Sequence, residues 1–482
     1  MRTLLSLYNP ILSKYLVYML QQVNYDPRKF LKWLADLFKK NKSINNVMHR
    51  QTLKYTKKVK ILILLDLIFV TTFIMLFVYF GLQSISSLPG ALALFVILLF
   101  VSPFLSVLFL ILVSVPSYFL FAQQRLFPEV KASEALFKNH NGKRIAVAGS
   151  YGKTSIKEIL NTVLNEKLKV ATTPGNMNTP VAHARFAKML SGDEDVLVIE
   201  YGEEHPGDVR RFAKITHPDI AFITGIAPNH LEYYKTIDAL ADDIFSLRDV
   251  ISKDCLFIAA DGEITKDYII PGDITFDQSE VAGWSISNIR VQIDKTSFTM
   301  QRGGKKIDLH TGLLGRHQVP VVAIVAVLAL DLGLSIDQVK SGVSKTKSFE
   351  HRMSPYQLAG SWIIDDTYNG NIQGMLAGLT LLGDLNTVGR KIYVTPGLVD
   401  QGNQTQSVHE TMAKKIYDIN PDIVVLMANS ATKIINESLT SLKYKGKVQI
   451  VEDPLLFYQS LDKYVAAGDV VLMQNDWTDN YN

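Results

Sequence analysis

The residues Val147-Ala148-Gly149-Ser150-Tyr151-Gly152-Lys153-Thr154-Ser155 set two glycines, a lysine and a threonine between two apolar patterns. Ile145 to Ala148 reads as a buried strand, and Ile156, Ile159, Leu160, Val163 and Leu164 have helical spacing. A glycine turn between strand and helix lets backbone N–H groups approach phosphate oxygens, and the helix start adds partial positive charge. Lys153 can reach terminal phosphates, and the Thr154 hydroxyl can hold Mg²⁺. The spacing is G-x-x-G-K-T-S, because Val147 stands where the more general phosphate loop has its first glycine. The chemistry expected is consumption of a nucleoside triphosphate, with Gly149, Ser150, Tyr151, Gly152, Lys153, Thr154 and Ser155 as its cradle.

Two further polar residues stand just past apolar strands. Val196-Leu197-Val198-Ile199 ends at Glu200, and Ile220 to Thr224 runs into Gly225-Ile226-Ala227-Pro228-Asn229-His230. In open α/β sheets ligands bind beyond the carboxyl ends of strands. Thr154, Glu200 and His230 therefore make a candidate site for a hard or borderline metal beside the phosphates.

The elements that must position these groups alternate strand and helix from about residue 123. A β-rich stretch lies near 256–310, followed by a strong helix from Val321 to Leu332 and a mostly polar linker from Ser341 to Phe349. Strands resume with Ser361 to Ile364, Lys391 to Val394, Asp422 to Met427 and Asp469 to Met473. The expected fold class is α/β. A phosphate-loop central domain with a mostly parallel sheet spans 123–345, and a smaller Rossmann-like α/β domain spans 346–482.

The front of the chain is different. Lys39, Lys40, Lys42, Arg50, Lys54, Lys57, Lys58 and Lys60 cluster with no acidic residue among them. Ile61 to Leu82 follows, apolar except for Asp66, Thr71, Thr72 and Gly81; as a helix it is about 33 Å long, enough to cross a hydrocarbon core. After the polar link Gln83 to Pro89, a second apolar run extends over 91–121, with Pro103 a candidate kink and the tail beyond Pro116 a candidate interfacial segment. The expectation is a transmembrane hairpin over 60–122 with two spans. The basic flank puts the N-terminus, and after two crossings the catalytic domains, in the cytoplasm. Asp66 is expected at the interface or against the partner helix, and 1–59 as amphipathic helices on the membrane or on the soluble body. A net charge of +4 gives no argument for nucleic acid as a partner. The single cysteine, Cys255, excludes a disulfide framework and a multi-cysteine zinc site.

Six segments in order bring the chain close to a known family. Gly149-Ser-Tyr-Gly-Lys-Thr-Ser155, Thr173-Pro-Gly-Asn176, Glu200-Tyr-Gly-Glu-Glu-His-Pro-Gly207, Pro228-Asn-His-Leu-Glu232, Gly315-Arg-His317 and Asp365-Asp-Thr-Tyr-Asn369 resemble the Mur ligases over roughly residues 140–482. The resemblance implies an ATP- and Mg²⁺-dependent ligase of cell-wall precursor synthesis. Such an enzyme phosphorylates a peptide carboxylate and then joins it to the amine of an amino acid or dipeptide. It further implies catalytic roles for Lys153, Glu200 and His230, with His230 completing a second metal site. Arg352, Asp366 and Asn369 would contact the nucleotide, and Asn176 and His317 lie in motifs on the substrate side.

The departures are specific. Ile244 falls near the place where family members carry a carbamylated lysine, and Asp242 or Asp243 is the candidate replacement carboxylate. Gly225 stands in place of an adenine-side asparagine, Gln318 in place of the asparagine after Gly-Arg-His, and the chain end departs from the family pattern. The family's small UDP-binding domain has no counterpart in the sequence, and the hairpin takes its place. The acceptor implied is thus a peptide-bearing precursor, lipid-linked or UDP-linked. Rival readings are a poly-γ-glutamate-type ligase, a glutaminase-coupled amide ligase, and a membrane scaffold that binds nucleotide after losing catalysis.

Overall fold

The computed structural model describes residues 2–9, 11–22, 25, 27–39, 41, 43–44, 55–84, 88–117, 123–175, 177–228, 231–367, 370–398, 401 and 404–475. The chain divides into two compact units, 1–128 and 129–482.

In the first unit two long helices, Lys57–Ser84 and Leu88–Ser117, pair with each other. Both are long and apolar enough to cross a membrane, over Lys57–Gly81 and Val96–Val115. The second helix runs without a break through Pro103 to Ser117, and 118–122, the expected interfacial tail, lies outside the described residues. Ile61, Leu64, Met75 and Phe80 on one helix, and Val96, Phe100 and Leu112 on the other, turn outward. Contiguous outward apolar faces of this size mark contact with a membrane or a partner rather than with water. Helices Leu12–Gln22 and Pro27–Lys39 pack against the long pair, burying Leu16, Val17, Tyr18 and Phe30 with Val59, Leu62 and Leu110. Asp66 is buried there between Ser13 of the helix Leu12–Gln22, whose Oγ donates to it, and Ser106 of the partner helix Leu88–Ser117.

The second unit holds two sheets. The larger has β1 (Lys143–Ala148), β2 (Val170–Thr172), β3 (Val196–Glu200), β4 (Ile220–Ile223), β5 (Leu256–Ala259), β6 (Ile274–Phe276), β7 (Glu280–Val281), β8 (Trp284–Val291), β9 (Thr296–Arg302) and β10 (Lys305–Thr311). Their order is β10-β9-β8-β7-β6-β5-β4-β1-β3-β2. The strands from β1 to β6 pair in parallel, and β6 to β10 are antiparallel, so the sheet is mixed. The parallel strands read as unbroken apolar runs because helices cover both faces: every residue of β3 is buried. Helix Val319–Asp331 is apolar on all sides because it is enclosed by the sheet and helix Lys153–Leu164.

The smaller sheet has β11 (Ser354–Leu358), β12 (Ser361–Asp366), β13 (Lys391–Thr395), β14 (Ile423–Met427), β15 (Lys447–Val451) and β16 (Val470–Gln474), in the order β11-β12-β16-β13-β14-β15. Only β11 runs antiparallel. Arg390 joins the starts of the neighbouring strands β13 and β16, with Nε on Asp469 Oδ2 at 3.1 Å, and its Nη2 donates to the Tyr464 carbonyl at 3.2 Å.

Candidate functional site

The order β4-β1-β3 makes β1 the point where successive connections diverge to opposite sides, and a crevice opens there beyond the strand ends. Val147 pairs with Glu200, and Ala148 with Ile223. Three segments far apart in sequence, after β1, β3 and β4, thereby arrive side by side. Gly149 has φ +134°, and a Cβ there would lie 2.3 Å from Thr224 Oγ1, so the turn accepts only glycine. Ser150 N–H donates to the Gly225 carbonyl at 2.7 Å, and Thr224 Oγ1 donates to the Tyr151 carbonyl, which pins the turn onto the segment after β4. Gly152, at φ +78°, opens the helix Lys153–Leu164 with no side-chain cap. The first-turn N–H groups of that helix are thus left for an anion.

Around this turn the charges are paired. Lys153 Nζ donates to the Gly149 carbonyl and to Glu203 Oε2 at 2.7 Å. Thr154 Oγ1 donates to Glu200 Oε2 at 3.2 Å. Glu200 is 2% exposed, and its carbonyl is 2.8 Å from Nε2 of the buried His183. Burial lowers the His183 imidazole to about 4, the hydrogen bond to Glu200 offsetting part of that, so the ring is neutral near pH 7. The same Glu200 oxygen lies 3.2 Å from Lys157 Nζ, on a side chain with no exposed surface. Lys157 also donates to the carbonyls of Thr173, at 3.0 Å, and Gly175.

Lys157 and Glu203 carry none of the roles expected from the sequence. A signal for Lys157 exists: it shares the helix face of Leu160 and Leu164, where a lysine is out of place. Glu203 sits within a quoted motif, and only the tertiary contact with Lys153 distinguishes it from its neighbour Glu204.

The other expected site residues fall as follows. Tyr151 lays its ring over Gly225, where a Cβ would meet Tyr151 Cζ at 2.3 Å; this explains why no asparagine stands there. Asp366, at the end of β12, accepts from Gln474 Nε2 at 2.8 Å and from Met353 N–H at 3.2 Å. Burial lifts its carboxyl to about 6, partly offset by the Gln474 hydrogen bond. Arg352 lies in the turn before β11, its N–H on the Phe349 carbonyl at 3.0 Å. His317 packs against Gly315 and receives Gln318 Nε2 at 2.9 Å, so Gln318 is a partner of the histidine. Burial lowers His317 to about 4. Asp243, the candidate for the missing lysine carboxylate, accepts from Val209 N–H at 3.4 Å and lies 2.7 Å from Tyr234 Oη. These contacts commit it to the start of helix Asp208–Thr216. His230, Asn176 and Asn369 lie outside the described residues.

The donor set suits a triphosphate: an uncapped helix start, a glycine turn no Cβ could enter, and Lys153 beside it. Among the described residues no three His, Cys, Asp or Glu side chains form a metal cage. The Thr154–Glu200 oxygen pair suits Mg²⁺, which takes few protein ligands when phosphates supply the rest.

Comparison with known proteins agrees with this geometry. A family model described as the Mur ligase middle domain matches residues 147–329. The UDP-N-acetylmuramoyl-tripeptide--D-alanyl-D-alanine ligase of Borreliella burgdorferi is 25% identical over 342 residues, covering 68% of this chain and 69% of that protein. The Escherichia coli protein of the same name is 25% identical over 316 residues, covering 64% and 69%. Among solved structures, the MurF ligase of Thermotoga maritima in complex with ADP superposes with a TM-score of 0.63 at 22% identity, covering 73% of this chain and 81% of that one. MurF from Acinetobacter baumannii gives 0.64 at 19%, covering 73% and 78%.

Proposed function

This chain belongs to the Mur ligase family, and on that premise we propose that it is a membrane-anchored, ATP-dependent ligase of peptidoglycan precursor synthesis. It would join the amine of an amino acid or dipeptide to the peptide carboxylate of the precursor. The observation that carries the reading is the meeting of the Gly149–Gly152 turn, Lys153, Thr154 and Glu200 at one strand-end crevice.

The reaction brings two anions together, so charge neutralisation is its main requirement. The helix N–H groups and Lys153 would hold the β- and γ-phosphates. Lys153 would exchange its Glu203 contact for phosphate oxygens. Mg²⁺, when bound, supplies further neutralisation on the transferring group, and Thr154, Glu200 and His230 would hold it. The peptide carboxylate would take the γ-phosphoryl group as an acyl phosphate with release of ADP. The amine would then attack the carbonyl, lose a proton and expel phosphate. Arg352, Asp366 and Asn369 would close over the nucleotide from the smaller sheet and exclude water from the acyl phosphate.

The two apolar helices support anchoring. A tethered enzyme gains effective concentration toward a lipid-linked acceptor, which favours that form over the UDP-linked one. The test is ADP formation by the full-length protein with polyprenyl-linked and UDP-linked muramyl peptides plus D-Ala-D-Ala. Acceptor-dependent ADP release is expected, faster with the lipid-linked peptide, and Lys153→Ala should lower it by about 10²–10³-fold. ADP release that ignores the acceptor would favour the decayed scaffold instead.

A further inference from the structure

Lys157 is a charged group in a place that packing alone would fill with an apolar side chain. It has no exposed surface and lies on the face of Leu160 and Leu164. A buried ammonium persists only where its partners compensate for lost water. Here the partners are the Thr173 and Gly175 carbonyls and the Glu200 carboxylate, with Glu158 Oε1 at 3.7 Å. The segment from Thr173 to Asn178 is also joined to the backbone of β3 and of Gly202 beyond it. Glu200 N–H donates to Thr173 Oγ1 at 3.1 Å, Thr173 N–H to the Val198 carbonyl at 3.0 Å, and Gly202 N–H to the Asn178 carbonyl at 3.0 Å.

We infer that Lys157 is a positioning residue: its ammonium fixes the Glu200 carboxylate beside Thr154 and locks it to the 173–175 loop, so that one buried charge sets both the metal-side carboxylate and the loop next to it. The inference rests on the proposed ATP- and Mg²⁺-dependent reaction and adds a residue to it. Charge is essential to the role. A neutral side chain of similar length would fill the volume but remove the cationic anchor of the Glu200 carboxylate, leaving it the hydrogen bond from Thr154.

The test is equilibrium binding of a fluorescent non-hydrolysable ATP analogue to the full-length protein in detergent, without Mg²⁺ and across a Mg²⁺ titration. The parent should bind more tightly with Mg²⁺. Lys157→Met should keep the metal-free affinity within about two-fold and need about 10–100-fold more Mg²⁺ for the same gain. Lys157→Gln keeps donors for the Thr173 and Gly175 carbonyls, folds if Lys157→Met does not, and should show the same shift. An unchanged Mg²⁺ response in the variants overturns the inference. So does an equal loss of affinity with and without metal, the mark of a merely structural lysine. A parent that binds no nucleotide overturns the ligase reading as well.

Discussion

Glu200 shows how a residue acquires a role from neighbours that the sequence keeps apart. Its place at a strand end is legible, but its contacts with Thr154, Lys157 and the loop at Thr173 depend on β1 lying between β3 and β4. Gly225 makes the same point through absence. Its φ of +146° and the Tyr151 ring 2.3 Å from a would-be Cβ leave no room for any side chain. Gly225→Ala should therefore strain the backbone and displace Tyr151, at a cost of about 1–3 kcal/mol. The check is a thermal melt with and without ATP; a melting temperature equal to the parent's in both would refute the account. Asp243 is a candidate replacement carboxylate by its spacing. Its burial against Tyr234 and Val209 N–H, invisible in a linear motif, commits it to a helix start.

At the scale of elements, the ends of β12 and β16 meet through Asp366 and Gln474, which no local pattern could pair across 108 positions. Burial raises the Asp366 carboxyl from 3.8 to about 6. Since the folded state holds this proton more tightly than the unfolded chain does, stability falls as pH rises from about 4 to about 6 and is level above that. Asp366→Asn removes this dependence while keeping an oxygen for Met353 N–H. The variant should be no more stable than the parent near pH 4 and more stable at pH 7.5, by on the order of 3 kcal/mol at most. Thermal melts across that pH range check the sign, and a gap that shrinks with rising pH would contradict it. Nucleotide binding should weaken in the same variant if Asp366 contacts the ligand.

For the whole molecule, the outward apolar faces of helices Lys57–Ser84 and Leu88–Ser117 are the largest consequence. The full-length protein should stay in the membrane pellet through alkaline carbonate extraction, as an integral protein does, and release into the supernatant would remove the anchor from the proposal. The sequence by itself determined the phosphate turn, the apolar hairpin, the alternation of strands with helices and the order of the family motifs. Each is written in local spacing, where periodicity and turn chemistry act over a few residues. Only the tertiary structure decided that Lys153 rests on Glu203, that Lys157 is a buried cation on Glu200, that Gly225 makes way for Tyr151, and that the N-terminal helices pack on the hairpin. Those outcomes follow from strand order and from burial, which bring distant residues within hydrogen-bond reach and strip them of water, and neither property belongs to any single segment of the chain.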